Sequence, residues 1–159
     1  MRSGLSRTDV AHHLPHIVER MYRNIPSGVG ARRRDLRLSP SDMRAVLERG
    51  AAWAVSRGYG SEAELERVEE GGCLEGADPD LLSTRALERG RPQLGTLGSG
   101  NHFAELQYVA EIYDEPVATA FGLRLDQVTC MIHSGSRGLG HQVCQDHLRV
   151  MLDASRTYG

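Results

Sequence analysis

"LGTLGSGNHFAELQ", Leu94 to Gln107, decides how the rest of the chain is read. Gly95, Gly98 and Gly100 crowd together just ahead of Asn101, His102 and Glu105. Glycines so placed permit positive φ or a close approach of backbone to something bound. Their order is G-x-x-G-x-G leading into the strand-like run "HFAELQYVAEIY". A dinucleotide fingerprint instead runs G-x-G-x-x-G between a strand and a helix, with an acidic partner further on. A Walker A loop needs a lysine, and the chain contains none. What remains is a glycine turn presenting Asn101 and His102 at the start of a strand. Alternation would put Asn101, Phe103 and Glu105 on one side and His102 and Ala104 on the other, unless the turn twists them. An amide, an imidazole and a carboxylate so close together suit a metal–nucleotide site. The plainer alternative is an ordinary turn with a satisfied histidine.

"MIHSGSRGLGH", Met131 to His141, poses the same question again. His133 ends the apolar run "VTCMIH" and opens into "SGSRGLG" and a helix. In α/β folds, strand ends that pass into glycine turns and helix N-termini bind anions. Ser134 and Ser136 offer hydroxyls, Arg137 a planar fork for phosphate, and Gly138 and Gly140 room for backbone N–H groups to approach. The alternative is a helix N-terminus with an incidental arginine.

Working outward, "TDVAHHLPHIVERMYR" (residues 8–23) reads as an amphipathic helix capped by Thr8 or Asp9, with Pro15 as its kink or its true start. "NIPSGVGARRRD" is a loop. A helix follows from about Pro40 to Arg57, with Ser39 as cap and Val46, Leu47, Trp53 and Val55 in its apolar face. "SEAELERVEEGG" is a short acidic helix with a Ser61–Glu64 capping box, and "ADPDLLSTRALERG" another, closed by Gly90. Beyond residue 93 come two strands, the helix "EPVATAFGL" between them, and a closing helix from "GLGHQV". Residues 8–92 are thus mainly helical and 93–159 carry strands, helices and both motifs, which predicts a mixed α+β fold whose second part is α/β.

The bulk numbers exclude several classes. The 159 residues suit one domain, and 40% hydrophobic with 25% charged residues is ordinary for a soluble protein. A net charge of −2 calls for no membrane or nucleic-acid partner on average, so any such contact must be local. Cys73, Cys130 and Cys144 are odd in number and lack C-x-x-C spacing, which fits reduced thiols in a cytoplasmic protein. No signal peptide and no membrane-length apolar run is present. Other candidates are weaker. His12 and His16 stand at i, i+4, as in a metal clip, but without the intervening glutamate of H-E-x-x-H. Arg32, Arg33 and Arg34 form a basic loop. His141 and His147 sit on the last helix, and Cys130 reads as a core residue.

"PQLGTLGSGNHFAELQ" and "MIHSGSRGLGHQV" resemble two signature segments of the RtcB family of RNA-splicing ligases, nearest its eukaryotic and archaeal branch. "IPSGVG" and "DPDLLSTRALERGRPQLGTLG" are similar to the same family, so the likeness runs from about residue 18 to about residue 150. The resemblance implies a GTP- and Mn²⁺-dependent enzyme acting in tRNA splicing or RNA repair. It would join RNA 3′-phosphate or 2′,3′-cyclic phosphate ends to 5′-hydroxyl ends through a guanylylated histidine. It implies that His102 holds one Mn²⁺ and His133 the other, and that Asn101, His102, Phe103, Ala104 and Glu105 line the GMP site, with Glu105 facing the guanine edge. Arg137 would hold RNA or nucleotide phosphate. RNA is the implied partner, with an archease-like activating protein; DNA and membranes are not expected.

Three features of the family pattern find no match: the Asp-x-x-Cys metal motif, a third histidine ligand and the histidine nucleophile with its His-Gly neighbourhood. Residues 1–159 are therefore expected to be a single partial domain, a central piece of the larger RtcB fold, inactive by itself. A noncatalytic RNA- or nucleotide-binding module derived from that fold is the second reading. An unrelated metal-dependent hydrolase is the third, and lacks a water-activating acid beyond Glu105.

Overall fold

A computed structural model describes residues 1–33 and 35–159. Arg34, the last arginine of the basic loop, lies outside the described residues. The fold is mixed α+β, as expected. Two compact units divide the chain: Met1–Arg32 with Gly95–Gly135, and Arg33–Leu94 with Ser136–Gly159.

The first unit is built on a three-stranded sheet. β3 (Gln127–His133) stands where its apolar run placed a strand, and β2 (Phe103–Tyr108) fills only the first half of the run expected over 102–113. β1 (Arg2–Ser6) was not expected. "RSGLS" has no apolar alternation, and its pairing is set by the open edge of β3 rather than by propensity. The order is β1-β3-β2, antiparallel throughout. The parallel-sheet rule for anion sites at strand ends therefore has no purchase here. Central β3 buries its first residues, Gln127 and Val128, and becomes exposed toward His133. The buried Gln127 amide is satisfied: its nitrogen donates to the Ser3 carbonyl (2.8 Å) and its oxygen accepts from the Arg124 N–H (3.1 Å).

One helix expected over 8–23 is two, broken at His12–His13 just ahead of Pro15. α1 (Arg7–Ala11) is capped by Ser6, whose side chain and that of Asp9 cap each other reciprocally. α2 (Leu14–Asn24) starts afresh with Pro15 in its first turn, where a missing N–H is harmless. His12 caps the end of α1 while His16 lies in α2, so the i, i+4 clip does not form on one helix. α6 (Glu115–Phe121), capped by Asp114 and closed by left-handed Gly122, covers the link between β2 and β3 in sequence.

Helices make the second unit. α3 (Pro40–Ser56) has the expected Ser39 cap, reciprocated by Asp42, and buries Trp53 and Met43 beside Leu38. Val46, Leu47, Leu87, Leu94 and Leu139 pack on that cluster. α4 (Glu62–Leu65) is a single turn, with the Glu64 carboxylate accepting from the Ser61 N–H (2.7 Å) and hydroxyl (3.0 Å). α5 (Thr84–Gly90) and α7 (Arg137–Tyr158) are joined by a polar chain. Arg89 donates to Gln142 (2.8 Å), Gln142 to Asp146 (2.8 Å), and Ser83 also to Asp146 (2.6 Å). Gln142 is 1% exposed, so this chain satisfies a fully buried amide.

Hydrogen bonds from Ser83 and Gln142 hold the Asp146 carboxyl below its usual value, and Ser39 and Arg44 do the same for Asp42 and Asp80. A carboxyl whose folded pKa is depressed stabilises the fold above its unfolded pKa, and that stability is lost as pH falls through the folded pKa. The thermal midpoint is thus expected to fall below about pH 4, by a small step because these carboxyls are solvent-exposed. Asp146→Asn should flatten part of that acid limb; a parallel limb in the variant would remove Asp146 from the set.

Candidate functional site

The glycine turn is folded as its sequence demands. Gly95, Gly98 and Gly100 have φ of +72°, +112° and +74°, a region in which a side chain would be strained. Loop "IPSGVG" closes over it through backbone alone: the Gly28 N–H donates to the Gly98 carbonyl (2.6 Å) and the Leu97 N–H to the Pro26 carbonyl (2.9 Å). Ser134 adds a third tie, its hydroxyl donating to the Leu97 carbonyl (2.7 Å). That hydroxyl is engaged in fixing the turn, not displayed for phosphate as the sequence suggested.

Because the turn is fixed, β2 begins at Phe103 rather than at His102. Phe103 pairs directly with His133, Glu105 with Met131 and Gln107 with Thr129, so these residues share one face of the sheet. The ring of Phe103 lies 5.4 Å from that of His133. His102, which strict alternation would send to the opposite face, also has its ring 6.0 Å from that of His133, tilted by 31°. The twist allowed for in the turn is therefore present, and the two imidazoles meet. A Cβ built on Gly135 would stand 3.7 Å from His102 Nε2. Glu105 is exposed on the same face as His133, and its Oε2 accepts from the Gln107 side-chain amide (2.8 Å). That amide also lies 3.9 Å from Met131 Sδ. Asn101 is exposed in the turn, and Ala104, half-buried, falls on the opposite side of β2.

Imidazole is a good ligand for divalent transition metals, so two facing histidines fit such an ion by donor type. Among the described residues, no three His, Cys, Asp or Glu side chains gather into a metal-binding group.

Arg137 belongs to the second unit, at the first residue of α7, and its φ is +54°. At Gly138 the backbone N–H is already taken, donating to Gln93 Oε1 (2.7 Å). A Cβ on Gly140 would strike the Ser136 side chain. Both glycines serve close packing. Arg33 of the basic loop is engaged as well: it pairs with Asp35 and its guanidinium sits 5.6 Å from the Tyr59 ring. Sequence reasoning missed Gln107, Gln93 and the Gly28–Gly98 tie. Glutamines carry no motif of their own, and only "IPSGVG", within the family likeness, pointed at the last.

The model of the family described as tRNA-splicing ligase RtcB matches residues 1–159. The chain belongs to the RtcB family. Archaeal proteins named tRNA-splicing ligase RtcB are similar to it throughout. The one from Thermococcus kodakarensis is 51% identical over 159 residues, covering 100% of this chain and 33% of the relative. Pyrococcus furiosus has one 53% identical over the same length, with 16% of the relative covered. That of Archaeoglobus fulgidus is 50% identical, with 33% covered. This RtcB-family chain thus spans a third or less of these relatives' length. Among its described residues no helix is long and apolar enough to cross a membrane.

Proposed function

We propose that this chain contributes part of the metal and guanylate site of a GTP- and Mn²⁺-dependent RNA ligase. The reaction joins a 3′-phosphate or 2′,3′-cyclic phosphate end to a 5′-hydroxyl end. The observation that carries this reading is the meeting of His102 and His133, from two distant glycine-flanked segments, at 6.0 Å between ring centroids. Each would give an imidazole nitrogen to a metal, and Asn101 to Glu105 would line the guanylate beside it. When bound, such ions neutralise phosphate charge and align attacking and leaving oxygens. Arg137 would hold an RNA phosphate through its planar fork. A cytoplasmic location and an archease-like activator belong to the same proposal.

A graft tests it. This chain replaces the matching third of the Thermococcus kodakarensis relative, and joining of a cyclic-phosphate RNA is followed with GTP and Mn²⁺. Ligation by the graft supports the reading. A folded graft that binds GTP but neither accepts GMP nor joins RNA would favour the noncatalytic module. The 159 residues tested by themselves should gain no GMP mass after incubation with GTP and Mn²⁺, since none of their histidines matches the family's nucleophile. A stable adduct would place a nucleophile within them.

A further inference from the structure

We propose that Gln93 is a positioning residue for Arg137, capping α7 from a distant stretch of chain and pinning the left-handed turn that Arg137 occupies. The inference rests on the reading of Arg137 as a phosphate contact and adds the residue that sets its direction. The first N–H groups of a helix have no partner within it, and a side chain just before the helix usually accepts from one of them. Ser136 occupies that place and makes no such bond. Gln93, in the 3-10 turn Arg91–Gln93 after α5, supplies the acceptor instead: its Oε1 takes the Gly138 N–H at 2.7 Å.

Arg137 between them is held at φ +54°, where a residue with a side chain is disfavoured. Such a conformation persists only where its surroundings over-determine it. The Gln93 bond to the Gly138 N–H does so, and the tight surroundings of Gly138 require that the residue accepting this geometry be a glycine. A Cβ on it would lie 2.7 Å from Gln93 Oε1, 3.2 Å from Arg89 Cβ and 3.3 Å from the Arg89 carbonyl oxygen. Gln93 is itself on a firm base, because the preceding helix α5 is tied to α7 by Arg89–Gln142–Asp146–Ser83. Without the Gln93 acceptor, Arg137 gains by relaxing to right-handed φ, which swings its Cα–Cβ bond away from its present direction.

Two fluorescent RNAs that differ only in a 3′-phosphate or 3′-hydroxyl end serve as probes of the 159-residue protein. Arg137→Ala should reduce the preference for the 3′-phosphate. Gln93→Leu should reduce the same preference by about fivefold, the scale of one lost hydrogen bond. Gln93→Glu, which keeps an acceptor oxygen, should restore it. The double variant should be no weaker than Arg137→Ala, because both act through one guanidinium. A merely structural role would add to the Arg137 loss. Hydrogen exchange at the Gly138 amide, read by NMR, gives an independent measure and should accelerate in Gln93→Leu but not in Gln93→Glu. If Arg137→Ala changes nothing, the phosphate reading has failed, whatever Gln93 does. If Arg137→Ala acts while Gln93→Leu leaves preference or Gly138 exchange unchanged, the positioning role is wrong. Should Gln93→Leu not fold, Gln93→Met is the replacement, judged by the same two readouts.

Discussion

In the graft, His102→Ala and His133→Ala should each abolish transfer of GMP to the protein. The loss should exceed about a hundredfold, the upper end of what removing an outer partner of a metal ligand costs. A ligand contributes directly to the charge and geometry around the phosphates, and a misplaced triphosphate loses the alignment that displacement needs. The two histidines face each other, with ring centroids 6.0 Å apart, so their truncations leave different halves of one arrangement. Packing offers a competing explanation, because the His133 ring also lies 5.4 Å from Phe103. Phe103→Leu separates the two. It removes the aromatic contact and keeps both imidazoles, so guanylylation should fall only modestly. Labelled GMP transfer measures all three variants. Near-normal transfer by His133→Ala would show that "HSGSRGLG" is a structural turn.

How much of this was legible in the sequence follows from the range of the interactions involved. α3 was readable because its signals are local: Ser39 and Asp42 cap each other three residues apart, Pro40 opens the first turn, and Trp53 repeats on the apolar face. β2 and β3 were readable from their apolar runs, and their glycine-rich flanks marked the histidines. β1 was not, since "RSGLS" pairs only because β3 presents an edge more than a hundred residues later in the chain. The break between α1 and α2 was half-legible, for it falls at His12–His13, just ahead of the Pro15 that the sequence marks as a kink or a true start. Facing of His102 and His133 was left open for a physical reason. Period-two alternation holds inside a strand and says nothing of the residue that enters it from a glycine turn. At Gly138 the sequence misled. A glycine after Ser-Arg looks like room for a phosphate, and the acceptor that fills the room is Gln93, 45 positions away.

Glu105→Ala should act on the base rather than on the phosphates. Under the proposed reading, its carboxylate accepts from the two N–H donors on the guanine edge, an arrangement adenine cannot match. Hydrogen bonds to an ionised acceptor contribute about 1.5–3 kcal/mol each, so losing two lowers discrimination by roughly a hundredfold or more. The Glu105 carboxylate has a hydrogen-bond donor in the structure that would orient it. Gln107, on the same face of β2, donates to Oε2 at 2.8 Å and so orients the group before any ligand arrives. Gln107→Leu should therefore cost less, roughly the fivefold that goes with one neutral donor, and Glu105 would still be present to choose guanine. Glu105→Gln is the sharper probe. Its amide keeps one acceptor but points a donor at a guanine donor, so it should lose GTP preference as fully as alanine does. The quantity to measure is the ratio of kcat/KM for GMP transfer from GTP to that for AMP transfer from ATP, in the graft. A ratio unchanged in both Glu105 variants would move guanine recognition off β2 altogether. It would leave Glu105 as an exposed carboxylate that accepts from Gln107.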